Sequence, residues 1–324
     1  MHRYFRSALL LAAGVLALQF GLASAQTFPS KPVLMIVPFS PGTAVDLVGR
    51  VVSEGLSKDL QTPVVLENRP GASGQIGTMT VAKAPADGYT LLFTSAAHYI
   101  NKSLYSRLPY DPDKDFKPIG RMSGTALVLV VPKSSPVNSV QELIAYARAR
   151  PGKLSYSSAG SGSTTQLPAA LFNSMAGIQI THVPYKNGNQ ALTDVIGGQV
   201  FMTFTAVASA LPQIKAGTLK ALAVTGPSRN FNLPDVPTVS QAGLKGFEFL
   251  SWNAMFAPAG TPDSVIARIE ASLRKIAASP DFQQRMRDAG LELDASFGAE
   301  FAASLQKEAP MLARLVEISG AKID

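Results

Sequence analysis

Pro32–Arg50 reads PVLMIVPFSPGTAVDLVGR, and this stretch decides the fold. Val33–Val37 is an unbroken apolar run, the pattern of a strand covered on both faces in a parallel sheet. Pro38 and Pro41 end the strand and Gly42 supplies a sharp turn. Thr43 is placed to cap a helix whose apolar positions Val45, Val48, Val51 and Val52 recur at helical spacing. Asp46, three residues on, occupies the capping-box position. A strand, a glycine turn and a helix start in succession aim free N–H groups and the positive end of a helix dipole at one spot, which favours an anion.

The same rhythm continues outward. Pro63–Asn68 is a second strand, Arg69–Gly74 a turn-rich loop, Gln75–Ala84 a helix and Tyr89–Thr94 a third strand, which together predict a parallel α/β unit. Ligands in such sheets sit beyond the carboxyl ends of the strands. The loops at Ser40–Thr43, Arg69–Gly74 and Ser95–His98 are therefore expected along one edge, with Ser95, Ala96, Ala97 and His98 on a cleft wall. Leu127–Pro132 is a fourth apolar run. After it Ser139 caps a helix over Val140–Arg150, and strands follow at Leu154–Ser157, Ile180–Pro184, Val200–Phe204 and Leu219–Thr225, with a helix at Gln166–Ala176. Phe249–Ala257 reads as a strand, and Pro262–Ala278, Pro280–Gly290 and Ala299–Ser319 as terminal helices.

The expected organisation is two α/β lobes around a cleft. Lobe 1 takes residues 26–126 plus 254–324 and lobe 2 takes 127–253, with crossings at 127–132 and 251–258 and the terminal helices returning to lobe 1. Residues 1–25, with Arg3 and Arg6, the apolar run Ala8–Leu18 and an Ala23-Ser24-Ala25 end, have the three parts of a secretory signal peptide, which predicts a periplasmic protein. The apolar run is shorter than the ~20 residues a membrane span needs.

The 324-residue chain carries 29 Lys and Arg against 22 Asp and Glu, a net charge of +7. Two of those bases lie in the leader, which contains no acid, so the balance behind it is +5. No Lys/Arg run tracks a phosphate backbone, so nucleic acid is not an expected partner. With no cysteine at all, disulfides, thiolate metal sites and cysteine nucleophiles are excluded, and so is a lipoprotein anchor.

Ser157–Pro168, SSAGSGSTTQLP, is a second loop between a strand and a helix. It lacks the Lys-Ser/Thr that a nucleotide-binding P-loop needs after its glycines. A secreted hydrolase using Ser73 or Ser161 with His98 is the rival from another class, but neither serine sits in G-x-S-x-G spacing. His98 and His182 lack metal-ligand spacing, so neither a metal nor a cofactor is expected. Tyr185 and Trp252 are each candidate cleft walls or core residues. The chain looks built to hold a small anion rather than to convert it.

Six segments carry a resemblance: VPFSPGTAVDLVGR, VLENRPGASGQIGTMTVAKAPADGYTLLF, THVPYKNGNQALTDVIGGQV, LPQIKAGTLKALAVTG, LPDVPTVSQAGLKGFE and WNAMFAPAGTP. Through them the chain resembles the periplasmic solute-binding receptors of tripartite tricarboxylate transporters, often called Bug receptors. The resemblance implies a periplasmic-binding-protein type II (Venus flytrap) fold, with a mostly parallel sheet in each lobe. It further implies two lobes that close on a small organic carboxylate and hand it to membrane transporter subunits; a monomer is expected, and the alternative output is a signal to a sensor kinase. The carboxylate would lie between two facing loops. One is Phe39, Ser40, Pro41, Gly42 and Thr43; the other contains Ser158, Gly160, Ser161, Gly162, Ser163 and Thr164. Tyr185, Phe204 and Thr205 are added from the second lobe.

Three positions depart from the family pattern. The usual Pro-Gly-Gly is Pro41-Gly42-Thr43, the frequent His after the Gly/Ser loop is Gln166, and the frequent Phe-Asp pair is Phe204-Thr205. Loss of that acid removes an acceptor for a ligand ammonium, so the expected ligand is a simple carboxylate and not an amino acid.

Overall fold

The computed structural model describes residues 28–322, so the expected leader lies outside the described residues. The strand read from the opening stretch is β1 (Val33–Val37), and it pairs in parallel with β2 (Val64–Asn68) and β3 (Thr90–Ser95). Helices α1 (Ala44–Leu60), α2 (Gln75–Ala82) and α3 (Ala97–Leu104) follow the three strands. In α1 the expected stripe of Val45, Val48, Val51 and Val52 is buried and extends to Leu56 and Leu60, the amphipathic arrangement that holds a helix on a sheet.

The spine of the molecule is β4 (Phe116–Pro132), a strand of 17 residues. The apolar pattern exposes only its last third, Leu127–Pro132. Upstream, Pro118, Gly120 and Gly124 resemble turn residues. Instead they sit in a strand whose register shifts between Pro118 and Gly120 and between Arg121 and Ser123, and such bulges are where a strand tolerates these residues. Gly120 is required by packing: a Cβ there would lie 2.4 Å from the Phe297 ring.

The partners of β4 change midway. Phe116–Ala126 pairs antiparallel with β9 (Leu250–Pro258) and, at Gly120 and Arg121, with β10 (Ser296–Phe297). Leu127–Pro132 pairs with β7 (Met202–Ala206) and β8 (Leu219–Val224). The continuous order is β2-β1-β3-β9-β4-β7-β5-β6, where β5 (Ser155–Ser158) is parallel to both β6 (Thr181–Pro184) and β7. Each outer part is thus a parallel α/β unit, and the antiparallel β3, β9, β4 and β7 contacts join the two halves.

The second half carries α4 (Val140–Arg148), α5 (Leu167–Ala176), α6 (Gly188–Ile196) and α7 (Val207–Lys215). Ser139 caps α4, its Oγ accepting from Glu142 N at 3.1 Å. Helices α8 (Asp263–Ala278) and α9 (Pro280–Asp288) come back to the first half, packing against each other and on α1. Helix α10 (Gly298–Ser319) does more than return: it packs on α3 and β4 and also on α5 of the second half. One apolar cluster accordingly runs from Ile36 and Leu92 through Phe301 and Leu305 to Phe172 and Phe204. Arg121 of β4, almost fully buried, secures the start of this strap through Asp294 (2.9 Å), Ser304 (3.2 Å) and Glu308. Among the described residues no helix is long and apolar enough to cross a membrane.

Candidate functional site

Between the halves lies a cavity of about 580 Å³. Six helix beginnings reach its wall: Thr43–Val45 at α1, Ser73 and Gly74 at α2, Ala97 at α3, Thr164 and Thr165 before α5, Asn187–Asn189 at α6, and Ala206 and Ser209 at α7. Each brings unpaired N–H groups and about half a positive charge. Strands from the junction supply a polar floor of Thr125, Ser251 and Asn253.

The α1 end follows from local chemistry. Gly42 has φ +82°, which favours glycine, whereas Thr43 is extended (φ −75°) and accommodates a side chain. Thr43 Oγ1 donates to Ser40 O (2.9 Å) and accepts from Asp46 N (3.4 Å). Asp46 is buried, which by itself would raise its carboxyl. Hydrogen bonds from Arg50, Gly42 N–H and Asn68 outweigh that and hold it below its ordinary value. The Gly42 amide is therefore taken, and the N–H groups without a partner among the described residues are those of Thr43, Ala44 and Val45.

Across the cavity, the Gly/Ser loop is braced from behind. Gln166 Oε1 accepts from Gly162 N (2.6 Å) while its Nε2 donates to His182 Nδ1 (3.3 Å), and the far ring nitrogen, Nε2, meets Ser158 Oγ at 2.6 Å. With Nδ1 as acceptor, the proton of the neutral imidazole is on Nε2. Burial pushes the His182 pKa down, favouring that neutral form, and Tyr156 stacks on the ring at 4.9 Å. Ser163 Oγ donates to Gly160 O (2.7 Å), so its proton shapes the loop. The hydroxyls of Ser161 and Thr164 have no partner among the described residues, and both line the cavity. Gly162 packs directly on Leu104 of α3, so the two halves touch there.

Of the residues expected at the site, Phe39, Ser40, Thr43, Ser95, Ala97, Ser161, Gly162, Ser163, Thr164 and Thr205 line this cavity. Eight do not, each for a definite reason. Pro41 and Gly42 form the turn behind Thr43. Ala96 and His98 belong to the start of α3, where a loop was expected, and both are buried. His98 is enclosed by Tyr99, Tyr110, Phe116 and Phe256, and neither ring nitrogen has a hydrogen-bond partner among the described residues. Among the described residues no hydrogen bond joins it to Ser73 or Ser161, so the hydrolase pair is not assembled. Ser158 and Gly160 brace the loop from inside. Tyr185 donates its hydroxyl to Asp194 (2.6 Å). Phe204 and Thr205 are successive strand residues and point to opposite faces; Thr205 meets the cavity, and Phe204 stacks on Phe247. Trp252 is likewise core.

The sequence reading missed the α6 start with Lys186, the α7 start with Ser209, and the floor of Thr125, Ser251 and Asn253. For α6 the local signal is an N-cap residue, Asn187, four residues before the apolar-periodic positions Ala191, Leu192 and Val195; the floor has no local signal.

Residues 71–74 at the wall all have positive φ (132°, 46°, 53° and 90°), although Ala72 and Ser73 are not glycine. Asn101 Nδ2 donating to Ser73 O (3.0 Å) and Tyr105 Oη meeting Ser73 Oγ (2.9 Å) hold this left-handed turn. Ala72→Gly is expected to raise stability by about 0.5–1 kcal/mol, the relieved strain exceeding the added unfolded-chain entropy. Urea unfolding of the two proteins measures it, and a loss of stability would contradict the turn geometry.

Comparison with known proteins adds an independent view of this cleft. The profile of the tripartite tricarboxylate transporter family receptor, TctC, matches residues 48–319. A protein of Pseudomonas sp., the UPF0065 protein in the tcbD-tcbE intergenic region, is 41% identical over 266 residues, 82% of this chain and 79% of that one. Two solved structures are also similar. R. palustris Rpa4515 with adipate has a TM-score of 0.78 at 33% identity, covering 91% of this chain and all of that one. MatC from Rhodopseudomonas palustris with bound malate has a TM-score of 0.75 at 30% identity, covering 89% and 100%.

Proposed function

Since the chain belongs to the tripartite tricarboxylate transporter receptor family, we propose that its cavity captures a small organic carboxylate and releases it to the membrane subunits of such a transporter. The protein does this in the periplasm, as a monomer, after loss of residues 1–25, and without catalysis. The observation that carries the proposal is the cavity wall itself: six helix beginnings, free hydroxyls, and no acidic side chain among the described lining residues. Adipate and malate, bound by the two similar structures, are carboxylates of the size this cavity admits.

The proposed mechanism is capture by closure. The carboxylate meets the Thr43–Val45 amides first, and the Ser161–Thr165 loop then closes over it, displacing water and strengthening each hydrogen bond. Hinge motion is assigned to β4 near Ala126 and Leu127, where its partners change, and to the adjoining start of β9.

A thermal-shift series across mono-, di- and tricarboxylates tests the proposal, because a ligand bound by the folded state raises the melting temperature. At least one carboxylate is expected to do so, with aspartate and glutamate ineffective because Thr205 replaces the acid that would accept an ammonium. If every carboxylate leaves the melting temperature unmoved, the proposal fails. Ser161→Ala and Thr164→Val, each removing one charge-assisted donor, are expected to weaken binding by about 10–100-fold. Calorimetry with the carboxylate found in the screen reads the change, and unchanged affinity in both variants would remove the loop from the site.

A further inference from the structure

Lys186 is the one charged residue among the described residues that line the cavity. Its neighbours in the chain are pinned. Tyr185 N–H donates to Ser158 O (3.0 Å) and its hydroxyl to Asp194 (2.6 Å), while Asn187 Oδ1 accepts from Gln190 N (2.9 Å) as the α6 cap. The backbone that presents Lys186 is therefore fixed from both sides.

Its ammonium is not. Lys102, Lys117 and Lys275 are paired with carboxylates, and Lys220 donates to Ser135 O and Asn138. Lys186 Nζ has neither kind of partner among the described residues, and no carboxylate lines the cavity beside it. A first carboxylate on the α1 amides and the Ser161 and Thr164 hydroxyls is served by neutral donors alone. Closure would then strip water from an ammonium with no counter-charge, which is unfavourable.

We infer that the ligand is a dianion: one carboxylate rests on the helix beginnings, and a second, at the other end of the same molecule, pairs with Lys186 Nζ. This rests on the carboxylate reading above and adds to it the charge of the ligand and the residue that selects it. Lys186 is then a specificity residue. It separates a dicarboxylate from a monocarboxylate of equal length, which the neutral donors cannot do.

The test measures, by calorimetry, the affinities of butanedioate, pentanedioate and hexanedioate and of the monocarboxylates of the same lengths, for the unaltered protein, Lys186→Met and Lys186→Arg. Lys186 is exposed, so the melting temperature without ligand is expected to stay the same in both variants. Lys186→Met is expected to weaken the best dicarboxylate tenfold or more and to leave the monocarboxylates unchanged, while Lys186→Arg keeps the preference. Rising salt should weaken the dicarboxylate less in Lys186→Met than in the unaltered protein. Equal effects on both ligand classes, or none, would overturn the dianion assignment while the carboxylate reading stands. If no carboxylate binds the unaltered protein, it is the carboxylate reading that fails, and this inference falls with it.

Discussion

Gly162→Ala is expected to weaken ligand binding by about 5–150-fold, the range corresponding to 1–3 kcal/mol of overpacking. A Cβ at this position would lie 2.4 and 2.5 Å from the two Leu104 methyl carbons. Leu104 is itself buried in the apolar cluster that joins the halves, so it has little room to yield. Under the proposed closure, the clash exists only while the second half's loop rests on α3. A molecule open in that way escapes it, so the substitution acts on the closed form and lowers affinity. A separate cost, about 1–2 kcal/mol for an alanine at φ +73°, applies in both forms and appears as lost stability of the free protein.

The two effects come apart in one experiment. Calorimetry and urea unfolding are carried out on Gly162→Ala alone and in combination with Leu104→Ala, which removes the obstructing methyls. The double variant is expected to recover most of the affinity and none of the stability. Unimpaired binding by Gly162→Ala would mean that the loop and Leu104 do not meet in the bound state.

Acid sensitivity is the second large effect expected. Burial pushes the His98 pKa down from 6.5 to about 3, and it also lowers that of His182. For a group whose folded pKa lies below its unfolded value, the unfolded chain binds more protons, so stability falls as pH drops. For His98 the loss begins near the unfolded value of about 6.5 and grows by roughly 1.4 kcal/mol per pH unit until pH 3. Asp46 and Asp59, both held below their ordinary values in the folded chain, lose stability in the same direction but only near and below their unfolded pKa of about 4. Glu292, whose carboxyl burial raises, runs the other way and offsets part of the loss. Between pH 6.5 and 5 the histidines therefore dominate.

Urea unfolding at pH 7, 6 and 5 is expected to show this slope in the unaltered protein and a slope smaller by about one proton in His98→Phe. The phenyl ring should be tolerated, because neither imidazole nitrogen has a hydrogen bond to lose. An identical slope in the two proteins would place the acid sensitivity elsewhere.

Protonation of His182 has a further consequence for the cavity. A proton on Nδ1 would face the Gln166 amide, donor against donor, and disturb the bond from Gly162 N–H to Gln166 Oε1. Loop geometry and stability are thus coupled to the same side chain.

What the sequence determined by itself was local. An apolar run bounded by proline and glycine is enough to make β1, and Thr43 with a valine stripe four residues deep is enough to make α1, because those signals act within one turn of chain. Ser139 capping α4 and Pro280 opening α9 were legible for the same reason. The facing loops could be paired because both are strand-to-helix junctions, whose free amides are a property of the junction and not of its surroundings.

The tertiary structure alone decided which groups face the cavity and which are spent elsewhere. Gly42 and Gly162 carry the expected amides, yet Asp46 and Gln166 consume them, and the free donors are the Thr43–Val45 amides on one side and the Ser161 and Thr164 hydroxyls on the other. His98 looked like a cleft residue until α3 turned it into a cage of aromatic rings. Arg121 and the glycines of β4 looked like a break in the chain until β9, β10 and α10 packed around them. Lys186 is one of many lysines in the sequence, and only the tertiary structure makes it the one charged residue among the described residues lining the cavity. The Asp46 and Gln166 bonds span only four residues, but Phe256 over His98 and the Asp294 and Glu308 partners of Arg121 come from more than 150 positions away, and no periodicity within a strand or a helix encodes that distance.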